Sequence, residues 1–192
     1  DVGRRRVVLF GGERGDFGGE NDTWECDGTS WTQRSPATSP PPRRATALAY
    51  DWARQRVVLF GGILPPNAVA ADTWEWDGTN WQQRSQAISP TARYNHALVY
   101  DAARGVTVLF GGYGSGYLND TWEWDGSTWT ERASMTRPLA RSGLAMAYDS
   151  ARGRVVLFGG GRDPDTRFSD TWEWDGSTWI QRFPATSPPG QY

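Results

Sequence analysis

"DTWEWDGSTW" occupies residues 120–129 and recurs letter for letter at 170–179, with near copies "DTWEWDGTNW" at 72–81 and "DTWECDGTSW" at 22–31. A second element, "RVVLFGG", stands at 6–12, 56–62 and 154–160, with "VTVLFGG" at 106–112. Its last glycine therefore steps from Gly12 to Gly62, Gly112 and Gly160, a period of 50, 50 and 48 residues. A third apolar run precedes the second as "ATALAYD" (45–51), "HALVYD" (96–101) and "LAMAYD" (144–149). A fixed period of this length is the mark of one repetitive domain, with units at about 1–42, 43–92, 93–140 and 141–192.

Each unit contains four short segments, here A to D: the "LAYD" run, the "VVLFGG" run, "DTWEWDG" and "STWTER" or its equivalents. All are rich in Val, Phe, Tyr, Trp and Thr and are bounded by Gly, Pro or Asp, which predicts strands. The A–B link is about five residues, as in "DAARG", and C–D turns through Asp-Gly, a tight-hairpin signal. Both pairs should be antiparallel. D leads to the next A through Pro-rich stretches such as "SPATSPPP" (35–42), where proline stops a strand from running on. The fold class is therefore all-β, and four up-and-down strands per repeat of about 50 residues match the blade of a β-propeller. Four B, C and D segments are present but only three A segments, so one blade is expected to lack its innermost strand.

These residues resemble kelch-repeat propellers, as in kelch-domain proteins and the central domain of galactose oxidase. The Gly-Gly pair ends segment B, a Trp lies on D, and Arg93, His96 and Ala97 in "RYNHALVY" fit the Arg-x-x-His-Ala entry to A. The chain departs from the eukaryotic pattern in its Trp-Glu-Trp segment C and in Thr46 and Leu144 at the His position. The resemblance implies a kelch-type propeller. It carries over no copper chemistry, because the galactose-oxidase centre needs two histidines and a Tyr-Cys pair, and this chain has one His and one Cys.

Alternation along C puts Trp74 and Trp76 on one side of the sheet and Thr73 and Glu75 on the other. A turn around Asp77 to Asn80 brings Trp76 opposite Trp81, and likewise Trp124 opposite Trp129 and Trp174 opposite Trp179. The indoles are read as mortar between sheets rather than a comb for sugar rings, since such cross-strand aromatic pairs contribute about 0.5–1.5 kcal/mol beyond burial. Glu75, Glu123 and Glu173 each have an Arg nine residues on (Arg84, Arg132, Arg182), which reads as structural pairing rather than acid catalysis. Cys26, at the place of Trp76, Trp124 and Trp174, reads as a small buried apolar substitute.

Composition removes several function classes. The chain has 12 Trp, 23 Gly and 12 Pro, and its positive charge is carried by arginine alone, which suggests a GC-rich bacterial gene. A net charge of −2 with both signs interspersed offers no basic face to nucleic acid. No stretch approaches the apolar length of a membrane helix, and "DVGRRRVVLFGG" reads as the approach to a strand rather than a leader. The Gly-Gly pairs lack any phosphate-binding extension and should serve positive φ. "WDGSTW" approaches the Asp box of sialidase-type propellers without its spacing, and no sialidase catalytic set stands out. Asp163, Asp165 and Asp170 are oxygen donors for a calcium ion, yet the EF-hand pattern is missing and the stretch reads as a solvated acidic loop. No cofactor or metal is expected.

The two ends of the strands differ. The A–B and C–D turns are nearly identical in all units, whereas the B–C segments differ completely: "ERGDFGGEN" (13–21), "ILPPNAVAA" (63–71), "YGSGYLN" (113–119) and "GRDPDTRFS" (161–169). Function on a rigid scaffold resides in such loops. The expected ligand contacts are Arg43, Arg93, Tyr94, Tyr113, Tyr117, Arg141, Arg162, Arg167 and Phe168. The three arginines at the entrance to A have two open roles, binding acidic groups or satisfying loop carbonyls. The expectation is a non-catalytic module that binds a protein, peptide or glycan, with an extracellular or cell-surface setting favoured. A self-assembling structural unit and a fragment of a propeller-containing enzyme are the alternatives. Blade edges and Trp-rich faces further suggest a head-to-tail homodimer or membership of a larger propeller.

Overall fold

A computed structural model of the chain describes residues 1, 3–14, 18–163 and 165–190. Among these residues every regular element is a strand. The first sheet contains β1 (Val7–Arg14), β2 (Gly18–Cys26) and β3 (Trp31–Arg34). The second contains β4 (Ala47–Asp51), β5 (Arg56–Phe60), β8 (Thr73–Trp76) and β9 (Trp81–Arg84) in that order, with a small ribbon of β6 (Ile63–Leu64) and β7 (Ala68–Val69) in its B–C loop. The third is β10 (Ala97–Asp101), β11 (Val106–Phe110), β12 (Thr121–Trp124) and β13 (Trp129–Arg132). The fourth is β14 (Ala145–Asp149), β15 (Arg154–Phe158), β16 (Thr171–Trp174) and β17 (Trp179–Arg182). All pairings are antiparallel, and the A-B-C-D order is that of the repeat. These are the blade-like units of a propeller-type repeat, arranged without ring closure.

Local chemistry sets each turn. Asp77 Oδ1 accepts the backbone N–H groups of Thr79 and Asn80 at 2.7 and 2.8 Å, closing the C–D turn so that Trp76 pairs with Trp81. Gly78 supplies the positive φ that this turn requires. Asp51 and Asp101 do the same work at the A–B turns, where each caps the backbone of Arg54 or Arg104 and also pairs with that arginine's side chain.

Three apolar clusters, one per neighbouring pair of sheets, form the core. In the first joint Val8 and Phe10 meet Val57, Leu59, Trp76 and Trp81; in the second Val58 and Phe60 meet Leu109, Trp124 and Trp129; in the third Val108 and Phe110 meet Val155, Leu157, Trp174 and Trp179. The phenylalanine stands edge-on to the indole at 5.1–5.4 Å in all three. The tryptophans that fill these joints, Trp76, Trp81, Trp124, Trp129, Trp174 and Trp179, are almost wholly buried, so the mortar reading holds for them.

Every buried indole also needs an acceptor. Trp76, Trp124 and Trp174 donate Nε1–H across the joint to Glu25, Glu75 and Glu123 at 3.0, 2.9 and 3.1 Å. Trp81, Trp129 and Trp179 donate likewise to Thr23, Thr73 and Thr121 at 2.8–2.9 Å. The decapeptide is thus self-complementary: its Thr and Glu accept what its second and third Trp donate in the next copy. Each glutamate is held from below by the predicted arginine, as in Arg84 with Glu75 at 2.7 Å, and by the A–B turn arginine, as in Arg54 at 2.6 Å.

Two expectations are corrected. Cys26 is only half-buried, because no described element packs over its side of the first sheet. The loop 13–21 is no free connection: beyond a bulge between Phe10 and Gly12, β1 continues and pairs Glu13 with Gly19 and Arg14 with Gly18. Gly19 allows this, since a Cβ there would lie 2.7 Å from the Arg43 backbone.

Candidate functional site

The loop end is assembled in two layers. The lower layer is constant. Arg43 inserts its backbone into the preceding repeat, donating N–H to Glu20 O at 3.0 Å and accepting from Gly12 N at 3.0 Å, and Arg93 and Arg141 repeat this with Ala70 and Gly62 and with Leu118 and Gly112. Their side chains turn the other way, into their own sheets. Arg43, Arg93 and Arg141 grip Asp72, Asp120 and Asp170 bidentately at 2.5–2.8 Å and also donate to the carbonyls of Gly61, Gly111 and Gly159. The first glycine of each pair bends the chain toward these groups at a φ of 60–71°. At Gly61 a Cβ would sit 2.5 Å from the Arg93 carbonyl oxygen, so only glycine fits.

All three guanidinium groups are fully buried. Of the two roles open to them in the sequence, the satisfying of loop carbonyls and a carboxylate is what the geometry displays, and they lie buried beneath the loops. Burial opposes the charge of Asp72, Asp120 and Asp170, but hydrogen bonds from arginine and from the indoles of Trp74, Trp122 and Trp172, with the guanidinium charge, outweigh it and hold the carboxyls below their usual range.

The upper layer varies. In three sheets the residue after the arginine, the residue after Gly-Gly and a residue late in the B–C loop are joined by backbone bridges of one pattern. They are Arg44, Ile63 and Val69 in the second sheet, Tyr94, Tyr113 and Tyr117 in the third, and Ser142, Gly161 and Arg167 in the fourth. One set of backbone bridges thus carries three unrelated sets of residues; in the fourth sheet Ser142 and Gly161 are buried and Arg167 is exposed. The tyrosine triplet is a compact aromatic patch: Tyr113 lies 5.6 Å from Tyr94 and 4.9 Å, edge to face, from Tyr117. All three rings are half-buried.

The remaining expected contacts divide. Arg162 and Arg167 are exposed. Phe168 lies under the Arg141 guanidinium, 4.0 Å from ring centroid to charge, so it supports the lower layer; with Arg167, Arg182 and Phe183 it also lines a cavity of about 430 Å³. Asp170 belongs to Arg141, and Asp163 accepts the backbone N–H of Asp165 and Thr166, so the acidic loop is organised around its own turn.

His96 sits against Phe60 and Gly61 just before β10, its ring 5.6 Å from Phe60. Burial, then the nearby Arg93 charge, lowers its pKa to about 3. It is a neutral packing group.

Sequence reasoning passed over Arg44, Ile63, Val69, Ser142 and Gly161. The available signal was position: each is a variable residue beside an invariant Arg or Gly-Gly, or at the loop's far end. It also passed over Trp52, which is exposed at an A–B turn where the other repeats have Ala102 and Ser150. Trp52 borders a cavity of about 470 Å³ at the turn end, with Leu48, Tyr50, Leu98, Tyr100 and Tyr148. Compared with known proteins, the chain matches no family model and no curated sequence. No helix among the described residues is long and apolar enough to cross a membrane.

Proposed function

We propose that this protein is a non-catalytic binding module, a kelch-type propeller that presents its loop-end triplets to a protein, peptide or glycan. The observation that carries the reading is the constant frame with three different triplets. A repeat that keeps these backbone bridges and changes the residues on them has separated support from recognition. Within the array, Tyr94, Tyr113 and Tyr117 offer the rigid aromatic area on which sugar rings stack or peptide side chains anchor. Arg167, exposed on the neighbouring frame, supplies charge for polar or acidic groups at the rim.

The absence of catalysis from this reading rests on the same chemistry. The glutamates that repeat through the chain are engaged by two arginines each, and all but that of the last sheet also accept an indole, so their charge is spent on cohesion. The kelch assignment is supported by the Gly-Gly end of B, the Trp of D and the Arg-x-x-His-Ala entry at 93–97.

The experiment is a glycan array and a peptide-display selection run on the wild type and on Tyr113→Ala/Tyr117→Ala. Enrichment that disappears in the double variant, with the β-sheet circular dichroism unchanged, is the expected outcome. A second reading, favoured by exposed Trp52 beside the turn-end cavity, places the ligand there. Enrichment that survives the tyrosine changes and disappears in Trp52→Ala would replace the first reading with the second.

A further inference from the structure

The three joints between sheets share one core, with the same edge-on phenylalanine and the same pair of indole donors in each. The polar groups around that core are not shared, and the differences gather at the joint between the second and third sheets. Both sheets of this joint are backed on their far sides by other sheets of the chain.

On strand B, Val57 and Val155 lie opposite Trp76 and Trp174 in the first and third joints, while the second has Thr107 opposite Trp124. Thr107 is fully buried, and its Oγ1 has no partner among the described residues. At the turn end, Gly3 and Ala103 donate N–H to the hydroxyls of Tyr50 and Tyr148 at 3.3 and 3.0 Å across the first and third joints. The Tyr100 hydroxyl of the second joint is buried and faces Asp51 and the Ala53 N–H without the geometry of a hydrogen bond. At the entrance to A, Leu144 packs against Gly111 of the preceding sheet, and His96 packs its ring against Gly61 in the same way. Leucine there has nothing to satisfy, whereas His96 brings two buried ring nitrogens that lie near the Phe60 backbone without forming a hydrogen bond. At the outer rim, Thr38 and Thr136 donate Oγ1–H to the carbonyls of Trp81 and Trp179. The same position of the second joint is Ile88, 64% exposed and without a hydroxyl to give.

Four unpaired buried polar atoms, on three side chains, thus meet at one joint. The other such atoms among the described residues are Nη2 of Arg4, Arg54 and Arg104, one beside the Asp-Gly turn of each joint, and they do not tell the joints apart. A buried polar group without a partner is destabilised in a way that contact with water relieves, while a valine or leucine in its place gains nothing from water. Opening the second joint therefore relieves three side chains, and the rim contact that would resist opening is missing.

We infer that the joint between the second and third sheets is the one at which the array opens first, a conformational device set by Thr107, Tyr100, His96 and Ile88. Its opening separates the second sheet from the third about the D–A connection of 85–96. At the loop end it moves the frame of Arg44, Ile63 and Val69 away from that of Tyr94, Tyr113 and Tyr117, and at the turn end it parts Trp52 from Tyr100, whose rings lie 6.4 Å apart. A ligand that spans both frames would hold the joint shut, and one wedged between Trp52 and Tyr100 would hold it open.

The indole N–H groups of the second and third joints are matched probes. Trp124 and Trp174 donate to Glu75 and Glu123 at 2.9 and 3.1 Å, and Trp129 and Trp179 donate to Thr73 and Thr121 at 2.8 Å. The test is their hydrogen exchange, followed by NMR in the native 192-residue chain. Trp124 and Trp129 should exchange about tenfold or more faster than Trp174 and Trp179, the worth of one unpaired buried group. Repair variants take their residues from the sister joints: Thr107→Val, His96→Leu and Ile88→Thr should each slow Trp124 and Trp129 severalfold and leave the other pair unchanged. The reverse graft, Val155→Thr, should speed Trp174 and Trp179. Circular dichroism identifies any variant that fails to fold, and the remaining ones still decide. Exchange of Trp124 and Trp129 that is as slow as that of Trp174 and Trp179, or slower, overturns the inference. So do repairs that leave the ratio between the two pairs as it is in the wild type.

Discussion

The two layers of the loop end use the same strands, within a few residues of each other, yet obey opposite rules. Arg43, Arg93 and Arg141 repeat their contacts almost atom for atom, down to the glycine carbonyl and the bidentate aspartate. One residue away, Arg44, Tyr94 and Ser142 share only a backbone position. In a repeat protein each unit serves as a control for the others. What recurs is what the repeat requires, and what changes while the backbone bridges persist is where recognition is proposed.

This contrast predicts a large stability effect in the lower layer and almost none in the upper. Arg93→Ala would strand the Asp120 carboxylate in a largely buried site, and Trp124→Ala would empty the centre of a joint; each should cost about 3–5 kcal/mol in urea unfolding. If either is tolerated with a loss below about 1 kcal/mol, the lower layer is not the support described here.

Acid should expose the next-largest effect. The unfolded chain protonates His96 below its ordinary value of 6.5, whereas the folded chain does so only near 3, so the unfolded state binds more protons between these limits and stability falls as pH drops through that window. Below about pH 4 the unfolded carboxyls protonate as well, and the contribution of Asp72 and Asp120, present above that pH, is lost as pH falls toward their lowered folded values. The fourth repeat has Leu144 in the His96 position, and His96→Leu should flatten the melting temperature between about pH 4.5 and 6.5 while leaving the steeper acid limb. An unchanged slope would mean that His96 is not buried neutral.

A smaller gain is expected at the entrances to the A strands. Ala45, Asn95 and Gly143 take the same left-handed conformation just before A and are linked by Asn95 N–H to Ala45 O and Gly143 N–H to Asn95 O at 3.0 and 2.8 Å. Ala45→Gly should relieve about 1 kcal/mol of this strain, visible as a raised melting temperature. At the bottom of the scale, Tyr117→Ala should leave stability within about 0.5 kcal/mol while weakening ligand capture.

Much of the lower layer was legible before any coordinates, because its constraints are local and repeated. Strand alternation and an Asp-Gly turn suffice to place Trp76 opposite Trp81, and nine residues between Glu75 and Arg84 suffice to pair them across a hairpin. The contacts between sheets were not legible. No spacing within the chain indicates that Trp76 meets Glu25, since neighbouring sheets specify those partners only once packed. Cys26 was misread for the same reason: its burial depends on what covers the first sheet. In the upper layer the tyrosines stood out as aromatic residues in variable loops. Their union with Tyr94 into a frame shared by Arg44 and Ser142 depends on backbone bridges that leave no residue signature.

The central claim is that the decapeptide's second and third tryptophans are fastened to the preceding sheet by their indole N–H groups. Hydrogen exchange of the indole protons, followed by NMR on the native protein, reads this directly. The account predicts slow exchange for Trp76, Trp81, Trp124, Trp129, Trp174 and Trp179, with Trp52 exchanging at the rate of a free indole, and selective release of Trp124 in Glu75→Ala. Fast exchange of all twelve tryptophans in a folded chain would contradict it and return the indoles to the solvent-facing role of a ligand comb.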